Sequence, residues 1–231
     1  MDAAAHHLVV DRTLTRRNIE AAITAATMPV RLVDCDLEAV DLSRLDLTSF
    51  VFERCVLKDA DLSHATAVGT TWIGCRARSV EARGIDLTDA VLKGGDWNNV
   101  RFDGSLLAGT SFTGVKLTGS SFMDAKSLGA TFEECLMASC VLPRFSFRRS
   151  RLGRCDMTSA DLRECDFREA VFDAGSSLTG ANIADARFDG ADLRQAELGG
   201  HGLDALRVLA GARISIAQAA GIVSSAGLKV G

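Results

Sequence analysis

The sequence predicts an all-β solenoid, and three observations carry that prediction. From Leu32 every fifth residue falls in one apolar series: Leu37, Leu42, Leu47, Phe52, Leu57 and Leu62 begin it and Phe172 ends it. Of its 29 positions 21 are Leu or Phe, and only Ser127 is polar. The residue two places before each is mostly small, as at Cys35, Cys55, Ala60, Ala65, Thr70, Cys75, Ala90 and Ser105. Asp often precedes the large residue (Asp36, Asp41, Asp46, Asp61, Asp86) and Gly often stands two after it (Gly69, Gly74, Gly84, Gly94, Gly104). A period of five matches neither the 3.6 of a helix nor the 2 of a strand. The chain must therefore turn a corner every five residues, presenting the same residue inward, so that each coil buries its apolar positions against the next. Asp and Gly suit those corners because both tolerate turn conformations.

Residues 1–29 lack the five-residue phase and are expected to form an N-terminal cap or arm. Within them Ile19, Ala22, Ile23 and Ala26 have helical spacing, Thr15 suits an N-cap and Pro29 is a stop, which predicts a helix over 16–27. The repeat is assigned to residues 30–210. Its phase weakens through Ala67–Ala82, which predicts a looser coil there. It slips by one residue near 174–177, a bulge-like corner, and resumes at Leu178, Ile183, Phe188, Leu193, Leu198, Leu203 and Val208. Residues 211–231 form the third segment. Ser215 and Gln218 make a capping box ahead of a helix over 216–226, with Gly227 as its C′ residue and Leu228–Val230 as a short tail. The helix is apolar on more than one side. Ile216, Ala219, Ala220, Ile222 and Val223, with Leu228 in the tail, are therefore the candidate homodimer contact.

The 231 residues imply one domain or two, and 47% apolar with 24% charged residues is the balance of a globular protein. A net charge of −4 gives no sign of a basic protein that binds nucleic acid directly. The apolar runs are too short to span a bilayer. The start, MDAAAHHLVVDR, does not read as a signal peptide, so the expectation is a cytoplasmic chain away from the membrane. All seven Cys (35, 55, 75, 135, 140, 155 and 165) share the small inward phase, so packing rather than redox or metal chemistry explains them. His6, His7, His64 and His201 are scattered, without the spacing of a metal site. No phosphate loop, nucleophile elbow or catalytic pair stands out. The expectation is a non-enzymatic chain with no cofactor and no metal.

The small-Asp-Leu-x-x pattern of Ala60-Asp61-Leu62-Ser63, Ala160-Asp161-Leu162-Arg163 and Ala191-Asp192-Leu193-Arg194 resembles the pentapeptide-repeat family over roughly residues 30–210. The resemblance implies a right-handed quadrilateral β-helix of four pentads per coil. The sequence accommodates about nine such coils between a short N-terminal helical cap and a C-terminal helix. The segment from Leu209 to Ala219, with Ala226-Gly-Leu-Lys-Val, looks like the C-terminus of the MfpA and Qnr quinolone-resistance subfamily. That resemblance implies a homodimer joined through its C-terminal ends. It also implies a non-catalytic DNA mimic that binds DNA gyrase or topoisomerase IV and protects it from quinolone-type or natural-product poisons. Self-immunity in a producer of a gyrase-targeting compound, or a scaffold with no topoisomerase link, are the alternatives within the same fold.

Sorting outward residues by their place in a 20-residue coil identifies one face as the most acidic, though not by much. It carries Asp41, Asp61, Glu81, Asp103 and Asp124, the candidate partner-binding residues, with Arg44, Arg83 and Arg101 interspersed. Arg144, Arg148, Arg149, Arg151 and Arg154 form a basic band late in the coil that a DNA mimic does not require.

Overall fold

The computed structural model describes residues 7–202, 205–225 and 227–229, and it is a parallel β-solenoid of about eight turns. Each turn has four faces, and equivalent residues recur 20 apart. On the first face short strands stack as β1 (His7–Val10), β2 (Val30–Val33), β3 (Val51–Glu53), β4 (Thr71–Ile73), β5 (Val91–Lys93), β6 (Ser111–Thr113) and β7 (Thr131–Glu133). Further along the same face β8 (Arg151–Leu152) pairs with β9 (Val171–Phe172). The other faces are ladders of single parallel bridges. Asp36–Val56–Arg76–Asp96 runs along the second face, Asp41–Asp61–Glu81–Arg101 along the third and Asp46–Thr66–Asp86–Leu106 along the fourth.

The five-residue series is the core. Leu32, Leu37, Leu42 and Leu47, one per face, are fully buried, and so are the equivalent residues of later coils. Two after the large residue the backbone adopts positive φ in nearly every pentad, as at Ala39 (54°), Arg44 (60°), Asp59 (57°) and Gly69 (63°), with Ala174 and Gln195 as exceptions. Gly, Asp and Asn pay least for that conformation, which explains the composition of this position. The Asp that precedes each large residue accepts a hydrogen bond from the amide two residues on, as Asp36 Oδ1 does from Glu38 (3.0 Å) and Asp61 Oδ1 from Ser63 (2.8 Å). Its first role is thus to fix the turn.

The seven thiols are buried and unpaired by disulfides. Each small inward side chain with a proton to give tends to donate to the carbonyl of a large residue one coil earlier. Cys140 reaches Leu117 O (2.9 Å), Cys165 Leu142 O (3.0 Å), Thr110 Leu87 O (2.8 Å) and Ser120 Trp97 O (2.8 Å). Cys, Ser and Thr share this position with Ala because the space is small, and where a donor is present the nearby carbonyl can accept its proton. Burial pushes the Cys135 thiol up to about 11 and those of Cys140 and Cys155 to about 12.

Several expectations are corrected. The stretch Ala67–Ala82 is not loose: its bridges to the next coil (Thr66–Asp86, Arg76–Asp96) are continuous. In that coil the Trp72 indole, fully buried, lies flat on Phe52 (3.9 Å between centroids) and edge-on to Trp97 (5.4 Å). One large ring takes up the room that Ala67, Ala77 and Ala82 leave. The N-terminal segment is more than a helical cap, because β1 extends the sheet in parallel register, His7 opposite Val30 and Val10 opposite Val33. Helix α1 (Arg16–Ala25) follows with the expected Thr15 cap, reciprocated by Asn18, and buries Ile19. The repeat ends at Leu198 rather than Val208. Leu203 lies outside the described residues, and Val208 belongs to a short helix, α2 (Ala205–Val208), so the ninth coil is not completed. One residue is inserted where expected: Asp156 bridges Ser177, a step of 21.

Helix α3 (Ile216–Ser225) closes the far end, and residue 226 of the expected span lies outside the described residues. Its capping box forms as predicted: Ser215 N–H donates to Gln218 Oε1 (2.6 Å) and Gln218 N–H to Ser215 Oγ (3.2 Å). The Gln218 amide does a second task that the motif does not announce. Its Nε2 donates to Leu193 O and Ala196 O, both at 2.7 Å, and so supplies the open edge of the last coil with donors that no further coil provides. No helix among the described residues is long and apolar enough to cross a membrane.

Candidate partner-binding face

The third face places the sequence-predicted acidic residues on successive coils. Asp41, Asp61 and Glu81 are directly bridged, one above the other, so three carboxylates stack at the inter-strand spacing of ~4.8 Å. Arg101 is next in that ladder. Asp103 and Asp124 belong to other columns of the same face: Asp103 stands two after Arg101, and Asp124 is a positive-φ corner residue.

Most of these carboxylates are paired. Arg16, at the start of α1, reaches over the first coil to Asp41 Oδ1 (3.0 Å) and to the carbonyls of Asp41 (3.2 Å) and Ser43 (3.1 Å). Glu81 meets Arg83 (3.1 Å) and Arg101 (4.0 Å), Asp103 meets Arg101 (3.6 Å), and Asp124 meets Arg144 (2.9 Å). Asp61 has no ion-pair partner among the described residues. Asp103 is the least accessible of the four paired carboxylates, its side chain 17% exposed; it accepts hydrogen bonds from the Ser121 hydroxyl and the Met123 amide. Hydrogen bonds from Ser43 and the Arg16 guanidinium hold the Asp41 carboxyl below the usual range. These are surface pairs worth about 0–1 kcal/mol each, so an incoming cationic surface can exchange with the arginines. The Arg16 contact was not legible in the sequence, because the register of α1 over the first coil is set by packing.

Between the stacked carboxylates and Asp124 the face is hollowed. His64, Arg83, Arg101, Asp103, Met123 and Asp124 surround a shallow cavity of about 530 Å³ whose floor is Gly84 and Gly104. A Cβ at Gly84 would come within 2.5 Å of the His64 ring, so the glycine lets that ring lie over the hollow.

The basic band resolves into ion pairs between neighbouring coils. Arg148 (3.3 Å) and Arg149 (2.9 Å) share Glu169, Arg151 meets Asp173 (2.7 Å), Arg144 meets Asp124, and Arg154 meets Glu134. Side chains at equivalent positions of successive coils are adjacent, so this is the solenoid form of cross-strand pairing.

At the C-terminal end, Ile216 is 91% exposed and Leu228 59% exposed, while Ala219, Ala220 and Val223 are half-buried. Ile222 differs from the expectation: it belongs to the chain's own core, 3% exposed, and anchors α3 to the last coil. It is not available to a second copy in this arrangement. Among the described residues no group of three or more His, Cys, Asp or Glu is placed to hold a metal ion.

Comparison with known proteins agrees with this architecture. The family described as pentapeptide repeats matches in eight copies, over residues 35–71, 55–94, 85–123, 135–173 and 174–200. Two structures of trypsin-treated variants of QnrB1, a plasmid-mediated fluoroquinolone resistance protein, share 20% identity with this chain. They superpose with TM-scores of 0.72 and 0.76, covering 87% and 86% of it and 98% of each of those chains. HetL, a pentapeptide repeat protein involved in heterocyst differentiation regulation from the cyanobacterium Nostoc sp. strain PCC 7120, is 19% identical. Its TM-score is 0.58, with 84% of this chain and 87% of that one covered. No curated protein matches the sequence.

Proposed function

This chain belongs to the pentapeptide-repeat family, and from that premise we propose that it is a non-catalytic DNA mimic that binds a type II topoisomerase, DNA gyrase or topoisomerase IV. On this reading it shields the enzyme from quinolone-type or natural-product poisons and acts as a homodimer joined through the α3 ends. The observation that supports the reading is the stack of Asp41, Asp61 and Glu81 on successive coils of one face. Three carboxylates in line at ~4.8 Å give one edge of the rod a row of negative charge, as phosphates do for a duplex, which carries a charge every ~1.7 Å. A topoisomerase surface shaped for DNA would displace Arg16, Arg83 and Arg101 from the acidic groups. Ile216 and Leu228 are the exposed apolar side chains that a second copy would cover.

The experiment is a supercoiling assay with purified gyrase, with and without a quinolone. Inhibition that competes with DNA and weakens as salt rises is expected, because the contacts are exposed and screened over ~8 Å at physiological ionic strength. Replacing Asp41, Asp61 and Asp103 together by Asn should impair it while leaving the fold intact. An Asn side-chain oxygen can still accept the turn amides of Ser43 and Ser63. Replacing Arg148, Arg149 and Arg151 by Gln should leave it equal or stronger. Inactivity of the protein at a large excess over gyrase would favour a second reading, a protein-interaction scaffold. That alternative is supported by the arginines that already pair most of the acidic face.

A further inference from the structure

One rung of the solenoid wall is split. Elsewhere on the fourth face the ladder is regular. Leu107 N–H donates to Lys126 O (2.8 Å) and Gly109 to Leu128 O (3.0 Å), and two coils later Phe147 donates to Asp166 O (2.8 Å) and Arg149 to Arg168 O (2.9 Å). Between these two rungs the equivalent bonds, Ser127 to Ser146 and Gly129 to Arg148, are absent among the described residues. So is the bridge between Lys126 and Ser146 that the column Leu106–Lys126 and Ser146–Asp166 would require. The gap begins at Asp124, whose amide has no carbonyl partner in the next coil, and crosses the whole fourth face. It continues into the first, where β7 ends the seven-stranded sheet and β8 begins a new one. A cavity of about 170 Å³ runs along the first face across this junction, from Ser111 and Thr113 past Thr131 and Arg151 to Gly153 and Asp173. Pairing is intact on both sides of the gap: Phe122 N–H to Val141 O (2.8 Å) on the third face, and Glu134 to Gly153 O (2.7 Å) and Met137 to Asp156 O (2.7 Å) towards the second.

The cause is a misplaced ring. Ser127 stands where the other centre positions of the series are apolar, and Phe145 occupies an inward corner column that carries no other aromatic residue (Leu45, Ala65, Ile85, Ser105, Ala125, Cys165). Phe145 packs beside Phe147 of its own coil (4.7 Å between centroids) and reaches Phe122 (5.9 Å) and Phe132 (5.8 Å) of the Ser127 coil. It fills the room Ser127 leaves, but from the next coil, so it wedges the two apart. Two side-chain contacts span the split: the exposed Arg144–Asp124 ion pair (2.9 Å) at its start and a hydroxyl tie at its centre. The Ser127 hydroxyl donates to Ser146 O (3.3 Å) and accepts from Ser146 N–H (3.2 Å). Beside it Leu128 is 83% exposed.

We propose that this seam is a bending joint, about which the rod flexes by opening the fourth face over the unbroken ladder of the second. Each stack is continuous within itself, and between them the backbone bonds of the fourth face are missing, so bending concentrates at the seam. The proposal is independent of the partner the acidic face takes.

Pulsed dipolar spectroscopy on the full chain tests it. Spin labels at Thr66→Cys and Arg187→Cys span six coil steps across the seam on the fourth face; Arg76→Cys and Glu197→Cys span the same six on the second. The seven native thiols are buried, and the chain without introduced cysteines serves as the labelling control. The fourth-face pair should give a distance distribution about twice as broad as the second-face pair. Ser127→Leu combined with Phe145→Ala should narrow it to the second-face width, and Ser127→Ala, which removes only the tie, should broaden it further. Equal widths on the two faces, or a fourth-face width that neither variant changes, would overturn the joint.

Discussion

The coil around Trp72 and the coil around Ser127 face the same problem with opposite outcomes. Both lose large side chains from the centre of the rod: Ala67, Ala77 and Ala82 in the first, Ser127 in the second. In the first the missing volume is restored by a centre residue of the same coil, Trp72, and the ladder to the next coil is continuous. In the second it is restored by Phe145 from the neighbouring coil, and the ladder parts. Volume alone is therefore not what keeps the wall closed. The filling residue must sit in the plane of the coil it fills, because a ring that crosses between coils holds them apart by its own thickness.

The largest expected effect breaks the first of these coils. Trp72→Ala should cost about 3–5 kcal/mol, since three alanines cannot collapse onto the cavity. A fall in the denaturant midpoint measures it, and a loss below ~1 kcal/mol would show that neighbouring coils supply the packing instead. The second prediction sharpens the comparison at the seam. Ser127→Leu alone should destabilise by about 1–3 kcal/mol, because Phe145 already occupies the space. With Phe145→Ala added, the pair should be markedly less destabilising than the two single changes summed, a coupling of about 1 kcal/mol or more in a double-mutant cycle. Additive effects would mean that the two side chains do not compete for one volume. Third, Ser127→Ala should cost about 1 kcal/mol, the worth of the hydroxyl tie. Its hydrogen-exchange signature should be faster exchange at Ser146 with no change at Trp72.

A smaller effect concerns pH in the coils beyond the seam. The guanidinium of Arg194 holds the Asp192 carboxyl down to about 2, and Arg163 and Arg168 lower those of Asp161 and Asp166. A lowered folded-state value contributes stability that is complete above the ordinary carboxylate range. That contribution is lost as pH falls from about 4 towards 2. Asp192→Asn should flatten the acid limb of a stability–pH profile and lower stability at pH 7 by the same small amount, as exposed pairs contribute little. A profile unchanged below pH 4 would count against the pairing. The smallest effect is chemical. With Cys140 and Cys155 buried and their pKa values raised to about 12, a thiol reagent should modify the folded protein slowly and the unfolded protein at once.

Much of this molecule could be read from its residues. The period of five from Leu32, the small residue two before it and the turn-forming Asp determined a solenoid with a fixed inside. A repeat whose period fits no helix or strand leaves the chain no other way to bury one side. The caps at Thr15 and at Ser215 with Gln218 were legible because capping depends on residues three apart in sequence. The acidic face could be sorted by coil position, since stacking converts a spacing of 20 into adjacency.

Relations between coils or between an end and a coil were decided only by tertiary structure. Arg16 covers Asp41 and Gln218 caps the open carbonyls of Leu193 and Ala196 because α1 and α3 settle at angles set by Ile19 and Ile222, which no local pattern encodes. Leu198 ends the repeat, although the phase continues on paper, because α2 replaces the next coil. Ser127 read as a lone exception and Ala67–Ala82 as a weakness, yet the ladder fails at the first and holds at the second. A sequence specifies which side chains enter the core, and the rise of ~4.8 Å per coil decides whether a ring fits within its own layer or parts two of them.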